Sequence, residues 1–316
     1  MIAALLVIVA LAFAWSMGAH YTGACMGMPH ATGSITERPA LRLMAVFTFL
    51  GALAFSRPVL TRIGHGLLAA RLDLGAAIIA IGTAFALTTI FTRRRIPTST
   101  IQIFVFALAG VGTALGIGIR WPLVLRLALL WAAAPLLACA LGYGLTRLLD
   151  RVPAIAFGWP EGRAGRALVA VGLLASAAMG ANDVANATAV LLSAHLATPE
   201  GAALIGGAGL ALGVLTWGRP LLRRLAFDVV RLDFAMATAA QAVQAVVVLT
   251  AVAFGYFTSM NQALVGAMAG AGLARGRQTI DRRVTVGILR GWLIGPAAGF
   301  ALAFCAALLY RALQAG

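Results

Sequence analysis

Ten apolar segments constrain this chain more than any other feature. They fall near residues 2–27, 40–56, 73–92, 101–119, 122–146, 167–195, 202–217, 234–254, 262–274 and 285–310. A helix needs roughly 20 apolar residues to cross a bilayer, and most of the segments approach or exceed that length. Across 316 residues, 62% are hydrophobic and only 10% charged, whereas a soluble domain carries about 25% charged residues. Together these exclude a soluble globular protein. The expected fold is all-α: a polytopic membrane protein of about ten transmembrane helices.

The chain also repeats itself. Gly18-Ala19 recurs as Gly180-Ala181 and Arg57-Pro58 as Arg219-Pro220, both 162 positions later. Arg71-Leu72-Asp73 recurs as Arg231-Leu232-Asp233 and Ser99 as Ser259, 160 later, and Trp131-x3-Pro135 as Trp292-x3-Pro296, 161 later. Matches in order at a nearly constant offset divide the chain into two copies, 1–155 and 156–316. Five spans per copy, an odd number, send the second copy into the membrane in the opposite sense. Inverted-topology repeats with discontinuous helices are a signature of secondary transporters, with the substrate near the midplane.

All cations are arginine, and the formal net charge is +15. Arginines crowd the loops around 147–166, 219–231 and 275–290, while those near 196–201 and 255–261 have none. That alternation puts the basic loops in the cytoplasm. The basic balance is therefore topological and implies a lipid bilayer, not nucleic acid, as partner. Cys25, Cys139 and Cys305 show no paired spacing and read as small buried residues. His30, His65 and His195 read as interfacial or packed, Trp159 as a belt anchor, and Trp131 and Trp292 as packing at a repeat interface.

Of nine acidic residues, eight (Glu37, Asp73, Asp150, Glu161, Glu200, Asp228, Asp233 and Asp281) sit in loops or at span ends. Asp183 alone lies within an apolar segment. A carboxylate at the bilayer centre costs on the order of 3 kcal/mol, so it is expected to face a polar cavity and bind something. The small residues around Gly180 would let the backbone open into a helix start, where N–H groups favour an anion. Asn182 and Asn186 can serve an anion or a cation. A carboxylate opposes an anion unless neutralised, so Asp183 is expected to take a sodium ion or a proton. An intramembrane transferase would need a metal held by two or more carboxylates, which the spans do not supply.

Gly180-Ala181-Asn182-Asp183-Val184-Ala185-Asn186-Ala187 resembles the signature of the inorganic phosphate transporter family. That family carries the signature in both inverted repeats, each followed by a Pro-x-Ser-Thr-Thr-His motif and a Trp-x3-Pro motif. Pro97-Thr98-Ser99-Thr100 resembles the first hydroxyl motif and Thr258-Ser259 a remnant of the second. In the first copy the signature reads Gly18-Ala19-His20-Tyr21-Thr22-Gly23-Ala24, so His20-Tyr21 replaces the Asn-Asp pair and Ala24 the later Asn. The altered copy is similar to the sulfate permease branch.

The resemblance implies an inner-membrane secondary transporter for phosphate or sulfate, with no cofactor beyond a coupling sodium or proton. Asn182, Asn186, Ser99, Thr100 and Ser259 would bind substrate, and His20, Tyr21 and Thr22 would line the opposite wall. Gln102, Asn261 and Gln262 would complete the site, and Asp183 with Asn186 would hold the cation. A homodimer is compatible with such a chain.

Overall fold

The computed structural model describes residues 1–64, 67–70, 72–94, 96, 98–151, 161–223, 233–276 and 282–315, with no side-chain description at Glu161, at 282–289 or at Ala315. The expected copy boundary at 155–156 lies outside these residues. So do His65, Arg71, Arg95, Pro97, Trp159, Asp228, Arg231, Leu232 and Asp281.

The first copy comprises α1 (Ile2–His20), a π-helical turn (Gly23–Gly27), α2 (Met28–Ala31), α3 (Glu37–Phe55), α4 (Arg57–Gly64), α5 (Leu74–Arg93), α6 (Thr100–Leu115) and α7 (Trp121–Asp150). The second comprises α8 (Glu161–Ser193), α9 (Pro199–Trp217), α10 (Arg219–Leu222), α11 (Phe234–Ala253), α12 (Met260–Arg275) and α13 (Arg282–Ala315). Among the described residues eight spans are long and apolar enough to cross a membrane, four in each copy. The remaining segment of each copy, the fourth in chain order, is a helix of only 16 residues, α6 and α12. Both start at a buried serine, Ser99 and Ser259.

The copies interlock. Helix α1 packs on α9 and its repeat equivalent α8 on α3; α6 packs on α13 and its equivalent α12 on α7. The same exchange governs the tightest backbone contacts. A methyl group on Gly18 would fall onto the carbonyl of Leu210, and one on Gly180 onto that of Thr48. Leu210 and Thr48 are themselves 162 positions apart. Only glycine permits this approach, the small-residue packing that membrane helices use.

Direction follows from contacts of α1, the π turn and the residues after α2 with α8, the repeat equivalent of that stretch. Met17 meets Asn186, Cys25 meets Met179, and Ser34 approaches Gly165. Numbers rise on one side as they fall on the other, so the copies run in opposite senses, related by a pseudo-two-fold axis. Salt bridges mark matching positions: Arg219 and Arg223 hold Glu37 at 3.1 and 2.7 Å, while Arg57 lies 3.9 Å from Glu200.

Two local features differ from the sequence expectation. The helix does not open at Gly180: α8 runs unbroken through the second signature, because the glycine is spent on close contact with α3. The backbone departs from regular α-helix in the first signature, as the π turn. Extended residues Ser99 and Ser259 begin the two short helices. Among the cysteines, Cys25 is buried but Cys139 is half-buried and Cys305 exposed on the outer surface.

Candidate functional site

The short helices α6 and α12 set the centre of the molecule. Ser99 Oγ accepts from the Gln102 amide at 3.4 Å, and Ser259 Oγ accepts from the Gln262 amide at 3.4 Å. Serine at this position satisfies one of the donors a helix start leaves free. The remaining first-turn N–H groups have no acceptor within their own helix and carry the positive end of its dipole. Gln102 Nε2 donates to Gln262 Oε1 at 3.3 Å. A residue that touches its own repeat counterpart lies at the pseudo-two-fold axis, so the two helix starts face each other there.

Asp183 has no solvent exposure and is linked to the starts of both short helices through Asn182 and Tyr21. Asn182 Nδ2 donates to its Oδ2 and Asn186 Nδ2 to its Oδ1, both at 3.1 Å. The spacing explains the pair: residues three apart share a helix face, and the adjacent Asn182 reaches back. Asn182 also clasps the extended segment before α12, donating to Thr258 O at 2.9 Å and accepting from Thr258 N at 2.9 Å.

His20, at the repeat position of Asn182, makes a looser version of that clasp. Its Nε2 lies 3.3 Å from Thr98 O and accepts from Thr98 N at 3.4 Å, while Nδ1 meets Thr92 Oγ1 at 2.8 Å. Asn261 Nδ2 joins the same group, 2.8 Å from Thr98 O and 3.5 Å from His20 Nε2. Tyr21, at the position of Asp183, meets Thr100 Oγ1 at 2.8 Å and also interacts with the Asp183 carboxylate. Thr22 turns away, donating to Ala19 O and Gly218 O at 3.0 and 2.7 Å.

The structure thus gathers His20, Tyr21, Ser99, Thr100, Gln102, Asn182, Asp183, Asn186, Ser259, Asn261 and Gln262 around one buried centre, with Thr22 at its edge. Four buried oxygens there have no hydrogen-bond partner among the described residues: Asn186 Oδ1, Gln102 Oε1, Thr258 Oγ1 and Asn261 Oδ1. With the Asp183 carboxylate, they are the hard donors a sodium ion prefers. No three His, Cys, Asp or Glu side chains converge among the described residues, and no arginine is buried among them. An anion here would therefore be held by backbone, hydroxyl and amide donors. Trp131, expected only to pack, donates its indole N–H to Phe257 O at 3.3 Å and steadies the segment leading into Ser259. Gln241 and Gln244 on α11 are buried and bonded close by. Their one sequence signal is polarity inside the 234–254 span.

Fold and site together define an inverted-repeat, multi-pass membrane protein with a polar centre where two half-length helices meet. The chain belongs to the phosphate transporter family, whose pattern matches twice, over residues 17–160 and 159–303. It is 26% identical to the sulfate permease CysP of Bacillus subtilis, over 96% of this chain and 87% of that protein. It is 24% identical to a Pyrococcus furiosus protein whose name assigns it to the phosphate permeases, over 98% and 95% of the two chains. The solved structure titled "The sodium-dependent phosphate transporter" superposes with a TM-score of 0.89, covering 98% of this chain and 99% of that one at 21% identity, and shares the fold.

Proposed function

We propose that this protein is a secondary-active transporter of an inorganic tetrahedral oxyanion, phosphate, working by cation-coupled alternating access in the cell membrane. The observation that carries the reading is the meeting of α6 and α12 at Gln102 and Gln262 beside the buried Asp183. Two opposed helix starts offer N–H donors to an anion, and Ser99, Thr100, Ser259, Asn182 and Asn186 add polar groups around it. His20, Tyr21, Gln102, Asn261 and Gln262 close the remaining walls, with Thr22 at the rim. Asp183 and Asn186 hold the coupling ion, sodium or a proton, which offsets the repulsion between carboxylate and anion. Exchange of conformation between the two interlocked copies would open the centre to each face in turn.

Sulfate is the second reading, favoured by Tyr21. Phosphate near neutral pH keeps a proton and gains from a second acceptor, whereas sulfate has acceptors only. A phenol where the repeat would place another carboxylate moves the site toward sulfate. Uptake of labelled phosphate and sulfate into cells expressing the chain tests both, with and without sodium at two pH values. Accumulation of neither anion sinks the transport reading.

A further inference from the structure

Two buried carboxamides lie outside every sequence motif. Gln241 and Gln244, one turn apart on α11, have no solvent exposure. Burying such groups unpaired costs a few kcal/mol; Gln241 Oε1 has no hydrogen-bond partner among the described residues, so it is the amide donors that show what the two side chains hold. Gln241 Nε2 donates to Ala24 O at 2.7 Å, Cys25 O at 2.9 Å and Gln244 Oε1 at 3.2 Å. Gln244 Nε2 donates in turn to Met260 O at 3.4 Å. Ala24 and Cys25 belong to the π turn, and Met260 is the first residue of α12. The two side chains bridge the first-copy signature, three residues beyond Tyr21, to the start of the second-copy half-helix.

This bridge breaks the internal symmetry. The repeat counterparts of Gln241 and Gln244, 160 positions earlier, are Ile81 and Ala84. Conversely, Ala24 stands where the second copy has Asn186, whose amide braces Asp183. The second signature is an unbroken helix whose asparagine braces Asp183; the first has alanine at that position and takes a π turn. Such turns disturb the regular helical ladder and recur at functional sites. A carboxamide from the neighbouring helix now meets the carbonyls of that turn.

We infer that Gln241 is a positioning residue for the anion site: its carboxamide fixes the π turn and, relayed through Gln244, ties it to the start of α12, thereby setting Tyr21, three residues before the turn's held carbonyls, against Thr100 at the start of α6. The inference rests on the transport reading above. Cys25, inside the turn and buried, provides a probe that does not depend on transport.

The experiment uses the full chain with Cys139→Ser and Cys305→Ser, leaving Cys25 as the sole thiol, in membranes. Gln241→Met keeps the size and removes the donor. Its expected effects are labelling of Cys25 by N-ethylmaleimide about tenfold faster, and a KM for the transported anion raised about tenfold with Vmax within about twofold, the scale of one buried hydrogen bond. Gln241→Glu, which keeps one donor when protonated, restores part of the KM. Unchanged Cys25 labelling together with unchanged KM overturns the inference, as does a lower amount of inserted protein with KM unaltered. Should Gln241→Met fail to insert, Gln244→Met, which breaks only the relay, is read by the same two measures. A parent chain that moves neither anion defeats the transport reading, while the labelling ratio still decides the role of Gln241.

Discussion

Gln102 and Gln262 are 160 positions apart in the chain and meet side chain to side chain at 3.3 Å, the Nε2 of one donating to the Oε1 of the other. Each follows a serine-capped helix start by three residues. The contact joins two residues that the repeat makes equivalent, one from the first turn of each short helix.

Separate replacement of Gln102 and Gln262 by alanine, and of both together, is expected to be non-additive. Side chains in direct contact couple by about 0.5–3 kcal/mol, and a neutral hydrogen bond favours the lower end. The double-mutant cycle on transport KM and on thermal unfolding in detergent measures it. Additive effects would place the two glutamines in separate environments.

Asp183→Asn is expected to preserve membrane insertion and remove cation-coupled uptake. Both amides that brace the carboxylate lose a charged acceptor, and hydrogen bonds to charged groups are each worth about 1.5–3 kcal/mol. Those bonds bear on stability, whereas cation affinity falls because the carboxylate charge itself is removed, a loss of about 1.5–3 kcal/mol or roughly 10- to 100-fold. Initial uptake rates across a sodium and pH series check this. Retained dependence on the cation would move the coupling site elsewhere.

Tyr21→Asp restores the carboxylate that the repeat places opposite Asp183. The expected result is a steeper dependence on the coupling cation and a shift of preference toward phosphate over sulfate by about tenfold, the scale of one or two kcal/mol of differential binding. Competition between the two labelled anions reads it. A preference unmoved by this exchange would remove Tyr21 from the specificity argument.

The salt bridges at equivalent ends of α3 and α9 are unequal, and so are the expected effects of breaking them. Glu37 is 16% exposed and held by two arginines, while Glu200 is 68% exposed with Arg57 at 3.9 Å. Glu200→Gln should change stability by less than about 0.5 kcal/mol, as exposed substitutions do. Glu37→Gln should lower the melting temperature more, and the difference should shrink in high salt. Equal shifts would count against the two-arginine clasp.

Much of this architecture is legible in the residue order. The ten apolar segments each correspond to a helix, and the repeat matches predict which helices are equivalent. Asp183, Asn182 and Asn186 stand out because a charge inside an apolar segment is costly. Other features are not legible. Gly180 looks like a place for the backbone to open, yet it lies against Thr48 and the helix continues. Thr22 shares the signature but turns toward Gly218. Gln241 and Gln244 belong to no motif, and Trp131 shows its hydrogen bond only once α7 lies on α12.

Hydropathy is a property of each segment against its solvent, so the residue order alone settled that this chain lives in a bilayer, as helices, in two related copies. Which groups meet at the centre was settled only by tertiary structure. Those contacts join residues about 70 to 240 positions apart, and they exist because glycines let backbones from opposite copies touch. Such an approach depends on the angle and depth at which whole helices dock, which no local pattern encodes.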